Sequence, residues 1–159
     1  MQQPQPQDRM EIYEMYARYC WALDTGDTDG YVAFFTPDAE VTEETASGAI
    51  DVRKGHGEIR SLVRKFHDRA DVPGHQLLMA QFVFEPDPEA RPQHWVVRSY
   101  AWATINRPPR PPHLHWCGHV RDVVMKVDGA WKIRAKAIMG WSGDVLARFS
   151  SNNPAASTS

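Results

Sequence analysis

The sequence predicts an α+β fold, with helices gathered in the N-terminal half and a long antiparallel meander after them. Two observations carry this. Apolar residues recur at three- and four-residue steps in segments up to about residue 68, and after Pro73 the pattern changes to alternation. The twelve prolines, at positions 4, 6, 37, 73, 86, 88, 92, 108, 109, 111, 112 and 154, leave long stretches free to be regular elements. Strands that follow helices in blocks argue against a doubly wound parallel sheet.

Taken in order, residues 8–24 place Ile12, Met15, Tyr16, Tyr19, Cys20 and Leu23 on one helical face, with Asp8 as N-cap. Thr25-Gly26-Asp27 stops that helix. Asp27 then caps a short second helix through Tyr31, Phe34 and Phe35, which Pro37-Asp38 ends. Residues 39–44 and 49–53 read as two short strands around Ser47-Gly48. A third helix over 55–68 turns Ile59, Leu62, Val63 and Phe66 inward. Strands are expected over 76–85, 95–106, 114–127 and 130–141, with a tight hairpin at Asp128-Gly129 and a stiff proline-rich loop at 107–112. In the last strand Trp131, Ile133, Ala135, Ala137 and Met139 alternate with Lys132, Arg134 and Lys136. Residues 143–149 are expected to close as a short helix.

With 159 residues and 18.1 kDa the chain suits one domain, placed at 8–149 between polar tails at 1–7 and 150–159. Eighteen basic against twenty acidic residues give a net charge of -2, which argues against an unspecific nucleic-acid binder. No apolar run approaches the roughly 18 to 20 residues that span a bilayer, and MQQPQPQDRM has neither a basic patch nor an apolar core of a signal peptide. Cys20 and Cys117 are too few for a disulfide scaffold or a four-thiolate zinc site, so a reducing cytoplasm is expected. There is no Walker-type phosphate loop, GxGxxG, GxSxG or HExxH.

Some residues remain as candidates for chemistry. Asp24 falls at the C-terminal end of a helix, where the macrodipole disfavours negative charge, and on the apolar side. Its carboxyl should be desolvated and its pKa raised unless a cation or a donor meets it. It reads equally as a turn residue or as half of a structural ion pair with an arginine. His75 opens the first long strand and reads as a general base or as a structural histidine. His113, His115 and His119 have metal-like spacing, but an extended strand carries His119 about 13 Å beyond His115, so no metal is expected. Tryptophans and methionines gathered in the strands make sheet core, and on a concave face would line a pocket for a ring-bearing ligand.

The segments 13–27 (YEMYARYCWALDTGD), 34–39 (FFTPDA), Gly74-His75 and 128–133 (DGAWKI) resemble the SnoaL-like, scytalone dehydratase-like branch of the nuclear transport factor 2-like superfamily. The resemblance implies a cone-shaped α+β barrel, three helices packed on a strongly bent antiparallel sheet around one deep pocket. It further implies that Asp24 and His75 meet as a catalytic pair, Asp24 orienting the imidazole and His75 exchanging the substrate proton. Tyr19, five residues before the aspartate, takes the place of a hydrogen-bond donor. Two departures separate the chain from particular members: Gly140 stands where some dehydratases carry arginine, and Leu23 where scytalone dehydratase has tyrosine.

On this basis the expected activity is that of a cofactor-independent lyase of dehydratase or deformylating type. Its substrate would be a hydrophobic, aromatic or polycyclic small molecule, a lignin-derived diaryl compound among them. Strand phase adds Tyr100, His119 and Lys136 as polar contacts and Trp102 and Trp116 as stacking surfaces. The competing readings are a polyketide-type cyclase or isomerase, and a non-catalytic binding protein or dioxygenase small subunit. No cofactor, nucleic acid or membrane partner is expected. By the resemblance the sheet packs against a copy of itself in a dimer or trimer.

Overall fold

The computed structural model describes residues 3–45, 47–67 and 74–141. The expected helix at 143–149, the C-terminal tail and the side chain of Phe66 lie outside the described residues. Three helices, α1 (Pro6–Thr25), α2 (Thr28–Val32) and α3 (Gly55–His67), accompany six strands. These are β1 (Phe35–Glu44), β2 (Ile50–Lys54), β3 (His75–Pro86), β4 (His94–Ile105), β5 (His113–Val127) and β6 (Ala130–Gly140). The strands form one strongly curved sheet in the order β2-β1-β6-β5-β4-β3. Every neighbouring pair is antiparallel except β1 and β6, which run parallel.

Beyond shifts of a single residue, the boundaries that differ from the sequence expectation lie at the start of α1 and at the junction of α2 with β1. α1 starts at Pro6 rather than Asp8, because proline at the first helical position gives up an amide that has no intrahelical acceptor anyway. α2 ends at Val32, and Phe35 already opens β1, so Pro37 interrupts no helix. Pro37 lies where the pairing of β1 with β6 shifts between Phe35 and Glu40, an irregularity that spares it from donating to the ladder.

Further irregularities bend the sheet, since extra residues in a ladder raise its local twist. They fall between Ala80 and Val83 on β3, beside His115 on β5, and at Arg134 on β6. The one at Arg134 changes what β6 presents. Trp131 and Ile133 face the core as expected, but beyond Arg134 the phase reverses, so Lys136 is buried and Ile138 packs on the core in place of Ala135 and Ala137. The concave face holds Ile12, Met15, Tyr16, Tyr19 and Leu23 of α1 and Ile59, Leu62 and Val63 of α3 against Phe84, Val97, Val124 and Ile133.

Candidate active site

The end of α1 and the start of β3 are each fixed by a glycine. Gly26 takes a left-handed φ of 75°, and the amides of Gly26 and Asp27 close onto the carbonyls of Leu23 and Ala22 at 3.3 and 2.9 Å. Asp27 then caps α2, accepting from the Gly30 amide at 2.9 Å. Asp24 is thereby held in a closed last turn. On the other side Gly74 has φ 63°, and a Cβ there would stand 2.6 Å from the Asn106 carbonyl oxygen. Only glycine lets β3 begin so close to the end of β4.

These two ends meet. His75 Nδ1 lies 3.0 Å from Asp24 Oδ1, with the His75 side chain 3% and the Asp24 side chain 16% exposed. A carboxylate only accepts, so Nδ1 carries the proton, and in a neutral imidazole with that tautomer Nε2 is the basic atom. The Leu77 amide donates to both carboxylate oxygens, at 3.0 and 2.9 Å. The half-buried helix-end acid therefore meets donors, and among the described residues it forms no ion pair with lysine or arginine.

The second polar element is a pair of phenols. Tyr19 and Tyr31 hydroxyls stand 3.0 Å apart and both residues are buried. Burial pushes both phenols well above the ordinary tyrosine range. Tyr31 reads in the sequence as one more inward aromatic of α2, and nothing there marks it as Tyr19's partner.

His75, Tyr19 and Tyr31 line a cavity of about 620 Å³. Leu23, Leu62, Leu77, Ala103 and Ile138 give it apolar walls, and Trp116 and Trp141 add aromatic ones. Glu43, Glu44, Thr45, Gly48, Lys65, His115, Cys117 and Gly140 complete the lining. Glu43 is ion-paired to Lys65 at 2.9 Å and to Arg53 at 3.1 Å. These residues come from the ends of β1, β5 and β6, from the turn after β1 and from α3, so tertiary convergence alone marks them. Among the described residues no group of three or more His, Cys, Asp and Glu is placed to hold a metal ion.

Of the five secondary candidates, Trp116 lines the cavity and the other four are not among its lining residues. Ala101 and Ala103 of β4 are buried and Ala103 lines the cavity, so Tyr100 and Trp102, one residue out of phase, lie on the opposite face. Tyr100 is 48% exposed and meets Trp141 edge-on, its ring centroid 5.1 Å away. His119 pairs with Tyr100 across the strands and also meets Trp141 edge-on, at 5.8 Å. Lys136 is buried against Asp122, its Nζ 2.8 Å from Oδ2. Burial pushes the Asp122 carboxyl up against the opposing pull of the Lys136 ammonium.

Three helices packed on one strongly curved, mostly antiparallel sheet form the nuclear transport factor 2-like, or cystatin-like, fold. Within that fold class the chain belongs to the SnoaL-like domain family, whose profile matches residues 5–137. That family binds small-molecule substrates and includes polyketide cyclases and scytalone dehydratase-like enzymes. Among solved structures the chain is similar to Aln2 from a Streptomyces species, with 23% identity, 92% of this chain and 99% of that one covered, and a TM-score of 0.74. It is similar also to ActVI-ORFA from Streptomyces coelicolor (19% identity, 83% and 96% covered, TM-score 0.72). A scytalone dehydratase candidate from Novosphingobium aromaticivorans matches at 21% identity, 85% of each chain and a TM-score of 0.67. No curated protein matches the chain by sequence. Among the described residues no helix is long and apolar enough to cross a membrane.

Proposed function

We propose that the protein is a cofactor-independent lyase that acts on a hydrophobic, aromatic small molecule through Asp24-His75 acid/base catalysis. The observation that carries this reading is the 3.0 Å contact between Asp24 and a buried His75 on the wall of a largely apolar cavity. His75 Nε2 takes the substrate proton, and the imidazolium that forms is stabilised by Asp24 through Nδ1–H. The electron pair left behind forms the new double bond as the leaving group departs. Tyr19 donates to the departing oxygen or to a developing oxyanion. His75 returns its proton to the leaving hydroxide in a dehydration. In a deformylation His75 takes the hydroxymethyl proton, formaldehyde leaves, and the proton goes back to the carbanion carbon.

The binding-protein and subunit readings are disfavoured, because they would have Asp24 in an ion pair with a basic residue and His75 facing solvent. A cyclase or isomerase would use the same pair, and the family's polyketide cyclases keep that reading in view. The test is turnover of aromatic β-hydroxy and hydroxymethyl compounds followed by mass spectrometry. A product lighter by water or formaldehyde, formed at full rate after chelation, is expected; unchanged mass means isomerisation. Wild-type rates in both Asp24→Asn and His75→Ala would sink the acid/base reading.

A further inference from the structure

Behind the cavity wall lies a charged pair that the reaction above does not use. Lys136 and Asp122 side chains are each 1% exposed and bonded at 2.8 Å. Burying such a pair costs several kcal/mol per ion, so its presence asks for a reason. Its hydrogen bonding is incomplete. Tyr16 donates its hydroxyl at 2.7 Å to the same Oδ2 that Lys136 uses, and among the described residues Oδ1 has no hydrogen-bond partner. What is well placed is the ammonium, 4.7 Å from the centre of the Tyr19 ring and 5.8 Å from that of Tyr16. The irregularity of β6 at Arg134 is what brings Lys136 to the same side of the sheet as Trp131 and Ile133.

We propose that Lys136 is a positioning residue that acts through Tyr19: held by Asp122 against the Tyr19 ring, its ammonium strengthens the Tyr19 hydroxyl as a donor to negative charge forming in the cavity. A cation within about 6 Å of an aromatic face interacts with the ring electrons, and it stabilises electron density that builds as the phenolic O–H is drawn out. The effect is large because water is excluded and the charge is fixed beforehand. Tyr31, 3.0 Å from the Tyr19 hydroxyl, fixes its direction. This inference rests on the role given to Tyr19 in the lyase reading. The titratable groups around Tyr19 are Tyr31 from α2, Asp122 from β5, Lys136 from β6, and Tyr16 and Cys20 on α1; the Asp122 charge opposes ionisation of Tyr19, and the Lys136 ammonium faces its ring.

The test needs no substrate. The five tyrosines are replaced by 3-fluorotyrosine, which is the more acidic phenol, and the Tyr19 fluorine resonance is assigned with Tyr19→Phe. Its ionisation midpoint is then followed by NMR. Lys136→Met is expected to weaken the acidity of Tyr19 tenfold or more, while Lys136→Arg stays within threefold of the wild type. If Lys136→Met does not fold, Lys136→Gln, which removes the charge and keeps a hydrogen-bond donor for Asp122, is expected to move Tyr19 in the same direction. A Tyr19 midpoint unchanged or lowered in the folded variant that lacks Lys136 overturns the proposal. Because the midpoint is read without turnover, it is independent of whether Asp24→Asn retains activity.

Discussion

The Leu77 amide donates to both carboxylate oxygens of Asp24, at 3.0 and 2.9 Å, so the strand that delivers His75 also grips the end of the helix that orients it. The same carboxylate thus joins α1 to β3 and holds His75. The two jobs separate on substitution. Asp24→Asn keeps a carbonyl oxygen for Leu77 but no longer offers an anion to the imidazolium. It is expected to stay folded and to lose about 10²- to 10⁴-fold in turnover. Asp24→Ala should lose that activity and also about 1 kcal/mol of stability, because the half-buried Leu77 amide loses its acceptor. Urea unfolding beside initial rates checks both.

Gly74 sets where the imidazole starts. At φ 63° and with the Asn106 carbonyl 2.6 Å from any added Cβ, Gly74→Ala must shift the backbone next to His75. A stability loss of about 1–3 kcal/mol is expected from strain and overpacking. Turnover should fall further than stability accounts for, because the contact between His75 and Asp24 opens. Rates measured where the variant is fully folded separate the two effects.

The helices and the four long strands are legible in the sequence because each buries one face, and burial writes a period of 3.6 or 2. What escapes that pattern is local register. The irregularity at Arg134 leaves no mark in a stretch that alternates cleanly from Trp131 to Met139, yet it decides that Lys136 points inward. Pro37 reads as a helix stop because proline interrupts a ladder as readily as a helix, and only the broken pairing of β1 with β6 distinguishes the two. In the site, Asp24 and His75 stand 51 positions apart, so no spacing rule connects them; the resemblance does. Tyr100 and Trp102 fall on the wrong face because one residue of phase separates them from Ala101 and Ala103. Glu43, Lys65 and Trp141 come from element ends and carry no signal until the fold assembles them.

Asp87 provides a pH-dependent contribution to stability away from the cavity. Its side chain is 1% exposed, and Arg91 holds it through two guanidinium contacts of 2.7 Å and a backbone amide at 3.1 Å. The Arg91 guanidinium lowers its carboxyl to about 2. The folded value lies below the unfolded one, so the folded state binds fewer protons across that window. The stabilisation is complete above the ordinary aspartate range near 4 and is lost as pH falls toward 2. Asp87→Asn is therefore expected to cost about 2 kcal/mol at neutral pH and progressively less below pH 4. Denaturant unfolding at pH 7 and pH 3 measures the difference; an equal loss at both would rule out the titration.

The two thiols should react very differently. Burial pushes Cys20 up to about 12, so at pH 8 it holds almost no thiolate. Cys117 is exposed and lines the cavity beside Trp116. A disulfide reagent such as Ellman's is expected to modify one thiol quickly in the native protein, to miss it in Cys117→Ser, and to reach Cys20 only on unfolding. Because Cys117 belongs to the cavity lining, a bulky maleimide on it should block entry of a ring-bearing ligand and abolish turnover, while Cys117→Ser keeps full activity. Undiminished turnover after complete labelling would mean that ligands enter the cavity past another part of its rim.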